Sequence, residues 1–231
     1  METYIIDADN IDGDLFFYNL TRNSNDFSML PVFELDHIAQ KIRNILKKHG
    51  SRKDIILKRN EIKEAFFSPF KPQLKNAQVF LSHSHADRNK ALEVKNYLEN
   101  QTKRKVFIDS LFWDYKDDVL NKLARYDDIS KIEDAFTLIL RESLQDMIEK
   151  CPYFVFLQSK NSVSNQGLSR ITYSAWIYEE LKIANTFIAD TTIKESHIKA
   201  MRISYDITNL LGRFKPISLN GLCNEIFSTL L

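Results

Sequence analysis

Two short stretches carry residue types that can do chemistry. In Ser174-Ala175-Trp176-Ile177-Tyr178-Glu179-Glu180-Leu181, Trp176 and Glu180 stand four residues apart, which sets an aromatic and a carboxylate on one face of a helix. Val79-Phe80-Leu81-Ser82-His83-Ser84-His85-Ala86-Asp87 reads as a buried strand running into a polar turn. A strand-end turn and a carboxylate on a later helix can wall a cleft at one edge of a parallel sheet, where open α/β folds bind ligands. The turn has a second chemistry open to it. Histidines two apart can share a metal, with Asp87 on a second ion. The plain reading of the helix is a core tryptophan beside a solvated glutamate, since apolar stripes usually face the core.

The elements that must position these residues follow from periodicity. Short apolar runs at Ala77 to Ser82, Val106 to Asp109 and Tyr153 to Leu157 read as strands. The last is apolar at every position, as expected when both faces are covered. Between them lie helical patterns: Ala91, Val94 and Leu98; a short helix near Asp117 to Leu123; and a longer one striped by Ile132, Phe136, Ile139 and Met147. An aromatic loop is expected over Ser110-Leu111-Phe112-Trp113-Asp114-Tyr115. Ser174 caps the helix that carries Ile177, Leu181, Ala184 and Ile188 on its core side. This alternation predicts a parallel, doubly wound sheet of about five strands flanked by helices.

Upstream the pattern changes. Ile38, Ile42 and Ile45 mark a helix with Gly50 placed as a C-cap, and a second helix covers Asn60 to Phe67. The prolines of Ser68-Pro69-Phe70-Lys71-Pro72 oppose helix continuation, so the division falls there: a mostly helical extension over 1–75, then an α/β domain over 76–231. Tyr4-Ile5-Ile6-Asp7-Ala8-Asp9-Asn10-Ile11 is read as a solvated acidic turn. Residues past Ile193 have room for one more strand and two helices. Lys103-Arg104-Lys105 is a surface turn, and Cys151, opening an apolar strand, is a buried inert thiol.

Bulk properties narrow the function classes. The formal net charge is +1, so nothing in the balance calls for nucleic acid or an anionic membrane. Two cysteines make no disulfide framework, and a reducing compartment is the default. The N-terminus lacks the basic start and apolar run of a signal peptide. The expectation is a cytoplasmic protein.

Four motifs, in order, resemble those of the Toll/interleukin receptor (TIR) domain, in particular its stand-alone bacterial forms. They are Phe80-Leu81-Ser82-His83-Ser84 with Asp87; Val106-Phe107-Ile108-Asp109, like the second strand and the start of the mobile BB loop; Val155-Phe156-Leu157-Gln158-Ser159; and Ser174-x-Trp176-x-x-x-Glu180-Leu181. The resemblance implies a flavodoxin-like fold and cleavage of the bond between nicotinamide and ribose in NAD+. The products would be nicotinamide and ADP-ribose or a cyclic ADP-ribose isomer. NAD+ is then a substrate, with no cofactor and no metal. By the same resemblance Glu180 is the catalytic carboxylate. His83, Ser84, Asp109, Phe112, Trp113 and Trp176 line the substrate site, the aromatics holding the nicotinamide end. Self-association through the Phe112-Trp113 loop, a role in antiphage defence, and a downstream effector that senses a nucleotide product are further implications.

Two alternatives stay open. One is a non-catalytic TIR interaction scaffold. The other is a metal-dependent hydrolase using His83, His85 and Asp87, because H-x-H-x-D after a strand also resembles the opening motif of metallo-β-lactamase-like enzymes, although Arg88 stands where that family usually has a further histidine.

Overall fold

A computed structural model describes residues 1–11, 37–45, 59–67, 76–125, 130–188 and 204–228. Among them, those of Met1–Thr21, Ala77–Asp109 and Leu144–Leu231 form one compact unit, and those of Arg22–Asn76 and Ser110–Ser143 form another.

The first unit is built on a five-stranded, all-parallel sheet. Its strands are β1 (Glu2–Asp7), β2 (Ala77–Ser82), β3 (Lys105–Ile108), β4 (Tyr153–Gln158) and β8 (Lys215–Pro216), in the spatial order β3-β2-β4-β1-β8. The α/β class and parallel sheet expected from the alternating pattern are therefore present. β4 is central and every residue from Tyr153 to Leu157 is buried, which explains why its sequence shows no polar face. Phenylalanines in register knit the sheet together. Phe80 stacks on Phe154 with centroids 5.3 Å apart and leans on Phe107 at the same distance, while Phe214 meets Phe154 edge-on at 5.6 Å. Such pairs add to the area they bury.

The N-terminal strand departs from expectation. Glu2–Asp7 pairs along its whole length with β4 and occupies an interior place in the sheet. Tyr4, Ile5 and Ile6 are buried, while Asp7 at the strand's end and Asp9 in the following turn are exposed. The division drawn at 75/76 is thus crossed by the sheet itself. A six-residue strand with four buried residues in succession gives no amphipathic signal, and the adjacent acidic residues hid it. Helices over 37–45 (α1) and Arg59–Phe67 (α2) lie where the isoleucine spacing set them. Gly50 and the Pro69–Pro72 boundary lie outside the described residues.

After β2 a single 3-10 turn, His85–Asp87, leads into α3 (Arg88–Thr102). α3 buries Ala91, Leu92, Val94 and Leu98, and ends where Lys103 takes a left-handed conformation at φ 57°. That lets the chain reverse at once into β3, with the Val106 amide donating to Glu99 at 2.9 Å. The basic cluster there is a surface turn, as expected.

Two further helices follow, α4 (Ser110–Leu123) and α5 (Ser130–Lys150). Burial pushes the Cys151 thiol up to about 12, despite nearby Lys150, in keeping with an inert buried cysteine. Beyond β4 a small antiparallel sheet of β5 (Ser164–Gln166), β6 (Ser169–Thr172) and β7 (Tyr205–Asp206) packs through β6 against α6 (Ala175–Thr186). Its hairpin turns on Gly167, whose φ of +62° suits a two-residue loop. Helices α7 (Thr208–Leu211) and α8 (Leu219–Ser228) close the described chain. Among the described residues no helix is long and apolar enough to cross a membrane.

Phe154 has no exposed surface and contacts both neighbouring phenylalanines. Phe154→Ala is expected to cost ~3–5 kcal/mol, a large part of an ordinary domain's stability. Urea denaturation followed by circular dichroism checks this.

Candidate active site

The chain runs from β2 outward to β3 and then back to β4 on the other side of β2. The winding direction reverses beside β2, and in a parallel sheet the crevice outside such a reversal is where ligands sit. The polar residues following β2 and β4 meet there. Asp87 is buried and accepts hydrogen bonds from Ser159 Oγ and from Asn161 Nδ2, the latter at 2.7 Å. Its own amide donates to the Ser84 carbonyl at 2.8 Å. One carboxylate thus clamps the loop after β4 to the turn after β2. Asp9, after β1, adds a second tie by accepting from the Lys160 amide at 2.9 Å.

Helix α6 delivers the key carboxyl. Ser174, in an extended conformation, caps it by accepting from the Ile177 amide at 3.2 Å. From that start the 3.6-residue period carries Ile177, Glu180, Leu181 and Ala184 to the buried side. Glu180 has no exposed surface, and Ser82 Oγ at the end of β2 donates to its Oε2 at 2.5 Å. Its other oxygen, Oε1, meets no hydrogen-bond donor among the described residues. The far end of α6 is fixed as firmly: Arg213 donates to the carbonyls of Asn185 and Ile188, satisfying groups that the helix leaves open.

Burial is the largest influence on Glu180 and raises its pKa well above the ordinary 4.5. The Asp109 carboxylate and a hydrogen bond shared with it push the same way, and only the Ser82 hydroxyl opposes them. Both influences favour the neutral, protonated form of Glu180 over the charged one. Asp109, directly after β3, is itself buried and stands 3.1 Å from His83 Nδ1. The imidazole N–H is angled off the line between them, so the contact is electrostatic more than a formed hydrogen bond.

Glu180, His83 and Asp109 are therefore brought together, with Ser82 as the joint. Ser84 is half-buried in the turn beside them. Trp176 is half-buried in the first turn of α6 while Glu180 is wholly buried. The plain reading of the helix is thus inverted: the glutamate is core and the tryptophan reaches the surface.

The aromatic loop expected over 110–115 is helical, since α4 begins at Ser110. No glycine or proline interrupts 109–125, and nothing in that stretch opposes helix formation. The side chains of Phe112 and Trp113 lie outside the described residues.

The H-x-H-x-D residues go separate ways. His83 is buried against Asp109, His85 is exposed, and Asp87 is bonded to Ser159 and Asn161. Among the described residues no three His, Cys, Asp or Glu groups gather in a way that could hold a metal ion.

Sequence reasoning missed Ser82 as the partner of Glu180, and Asp87 with Ser159 and Asn161 as a clamp. A serine ending an apolar strand was the visible signal for the first. The second needs two loops more than 70 residues apart.

Glu180→Gln removes a group whose folded-state pKa is raised. Above the ordinary value the unfolded chain releases a proton that the folded protein retains. The wild type therefore loses stability as pH rises from that value through the raised one, and the contribution is fully present only below this window. The glutamine variant lacks that slope. It is expected to gain on the wild type as pH rises from about 5 to about 8, reaching ~1–3 kcal/mol, the range of a poorly compensated buried polar group. Thermal melts of both proteins across that range measure the gap.

No family model matches the chain, and neither does any curated protein or solved structure.

Proposed function

We propose that this chain is a TIR-type enzyme that cleaves the nicotinamide–ribose bond of NAD+, releasing nicotinamide and ADP-ribose or a cyclic isomer of it. The observation that carries this reading is the position of Glu180. Its carboxyl is held by Ser82 at the carboxyl end of β2, beside the point where the sheet reverses its winding. The order of the four sequence motifs supports the same reading.

The chemistry suits the geometry. As the glycosidic bond breaks, its electron pair leaves with nicotinamide and positive charge builds on the ribose. A carboxylate fixed in surroundings of low dielectric stabilises that charge more than water would. Glu180 must first be ionised, against surroundings that favour its neutral form, and must gain access to solvent, because none of it is exposed here. Entry of the cationic nicotinamide ring favours both changes. Trp176, one turn earlier on α6 and half-buried, is placed to border the ring once the site opens. By the resemblance, self-association supplies the opening, and antiphage defence is the setting, either through loss of NAD+ or through a nucleotide product read by a separate effector.

One observation favours a second reading, the non-catalytic scaffold. Glu180 is completely buried, and a hydrogen-bonded core glutamate needs no substrate to explain it.

Purified protein incubated with NAD+ at high concentration with a crowding agent separates the two. The enzyme is expected to release nicotinamide, with the partner product identified by mass, and Glu180→Ala is expected to reduce the rate by ~100-fold or more. Intact NAD+ with both proteins under these conditions favours the scaffold.

A further inference from the structure

We propose that His83 is a second catalytic residue, the general base that takes the proton from the acceptor hydroxyl, and that Asp109 is the positioning residue that orients it. The inference rests on the NAD+-cleaving reading and assigns the half of the reaction that Glu180 does not perform.

The imidazole of His83 has no exposed surface, and Nδ1 lies 3.1 Å from Asp109 Oδ1. The far nitrogen, Nε2, is buried with no hydrogen-bond partner among the described residues. A buried polar atom left without a partner is destabilising, which a residue present only for packing would avoid by being apolar. A carboxylate on one imidazole nitrogen fixes the tautomer that leaves the other as a bare acceptor. Nucleophilic enzymes use this pairing of a base with its orienting group. The off-line N–H is no obstacle, because such contacts often tighten only when substrate is bound.

The placement ties the two roles together. His83 follows Ser82 in the chain, and Ser82 holds Glu180. Asp109 stands against His83 and also acts on Glu180. Three neighbouring attachments thus set one group to stabilise the cation and another to receive a proton.

The steps balance without an added reagent. The C1′–N bond breaks and its electron pair leaves on nicotinamide, which departs neutral and needs no proton. A water oxygen then bonds to C1′, and one of its protons passes to His83 Nε2 and on to solvent. NAD+ and water give ADP-ribose, nicotinamide and a proton. A pyridine that attacks the same carbon carries no proton to lose, so exchange of free nicotinamide into NAD+ has no use for the base.

That difference is the test. The wild type is assayed for ADP-ribose formation and for incorporation of isotope-labelled nicotinamide into NAD+, alongside His83→Asn, Asp109→Asn and Glu180→Ala. His83→Asn is expected to lose hydrolysis by ~100-fold or more while retaining exchange, which also shows that it folds. Asp109→Asn shifts the ratio in the same direction. Glu180→Ala loses both reactions. Equal loss of exchange and hydrolysis in a His83→Asn protein with native circular dichroism overturns the proposal, and so does unchanged hydrolysis. If the variant does not fold, His83→Gln takes its place in the same two assays, and a wild type whose hydrolysis and exchange respond equally to D2O overturns the assignment. A wild type that catalyses neither reaction removes the NAD+ reading itself, a result distinct from exchange without a role for His83.

Discussion

A carboxyl group shut away from water has to be held by something, and most of the first unit can be understood from how Glu180 is held. Its contact with Ser82 joins a helix to the end of a strand nearly one hundred residues earlier. For that contact to exist, β2 must end at the correct level, which its register with β3 and β4 ensures. Helix α6 must begin at the correct residue, which Ser174 ensures, and Arg213 must hold the helix at its other end. None of these interactions is strong alone. Together they keep a group in the core that, ionised and unpaired, would favour leaving it.

The closed arrangement therefore carries internal tension. Two carboxyls and an imidazole share a region with little solvent, where the Ser82 hydroxyl serves Glu180 and His83 meets Asp109 in a poorly aligned contact. Natural proteins accept such an arrangement chiefly where chemistry needs it. The surroundings are the opposite in character. The phenylalanines of β2, β3 and β4 fill the centre of the sheet without any polar compromise, and Asp87 satisfies both of its oxygens. Rigid packing beside a poorly compensated polar cluster is what lets the cluster persist without unravelling its support.

Much of the architecture was legible in the sequence because the signals were local. Tyr153 to Leu157 announced a central strand by lacking a polar face, and Ser174 announced a helix start. What stayed hidden depended on distant partners. Glu2–Asp7 is too short and too evenly buried to declare itself, and only its pairing with β4 makes it a strand. The aromatic 110–115 stretch resembles a loop in sequence, although it contains nothing that breaks a helix. At the site, spacing placed Glu180 on a face with Trp176 but could not tell which of the two would point inward. That is decided by Ser82, which offers the glutamate a hydrogen bond where the tryptophan would need only room.

The place of β1 in the sheet has a consequence for how the protein is made. The strand is made before the other strands of the sheet, yet the partner that pairs along its length, β4, follows roughly 150 residues later. At ordinary elongation rates that is a wait of about 10 to 30 seconds, during which Tyr4, Ile5 and Ile6 have no sheet to enter. β2 and β3 can pair early, since one helix joins them. β4 must then arrive with one edge open, and β1 must come back across a wide separation in sequence to fill it before another chain's strand does. The order of synthesis thus leaves the interior of the sheet to be completed late, after β4 is made, and crowding of nascent chains is the condition under which that step is most exposed to error.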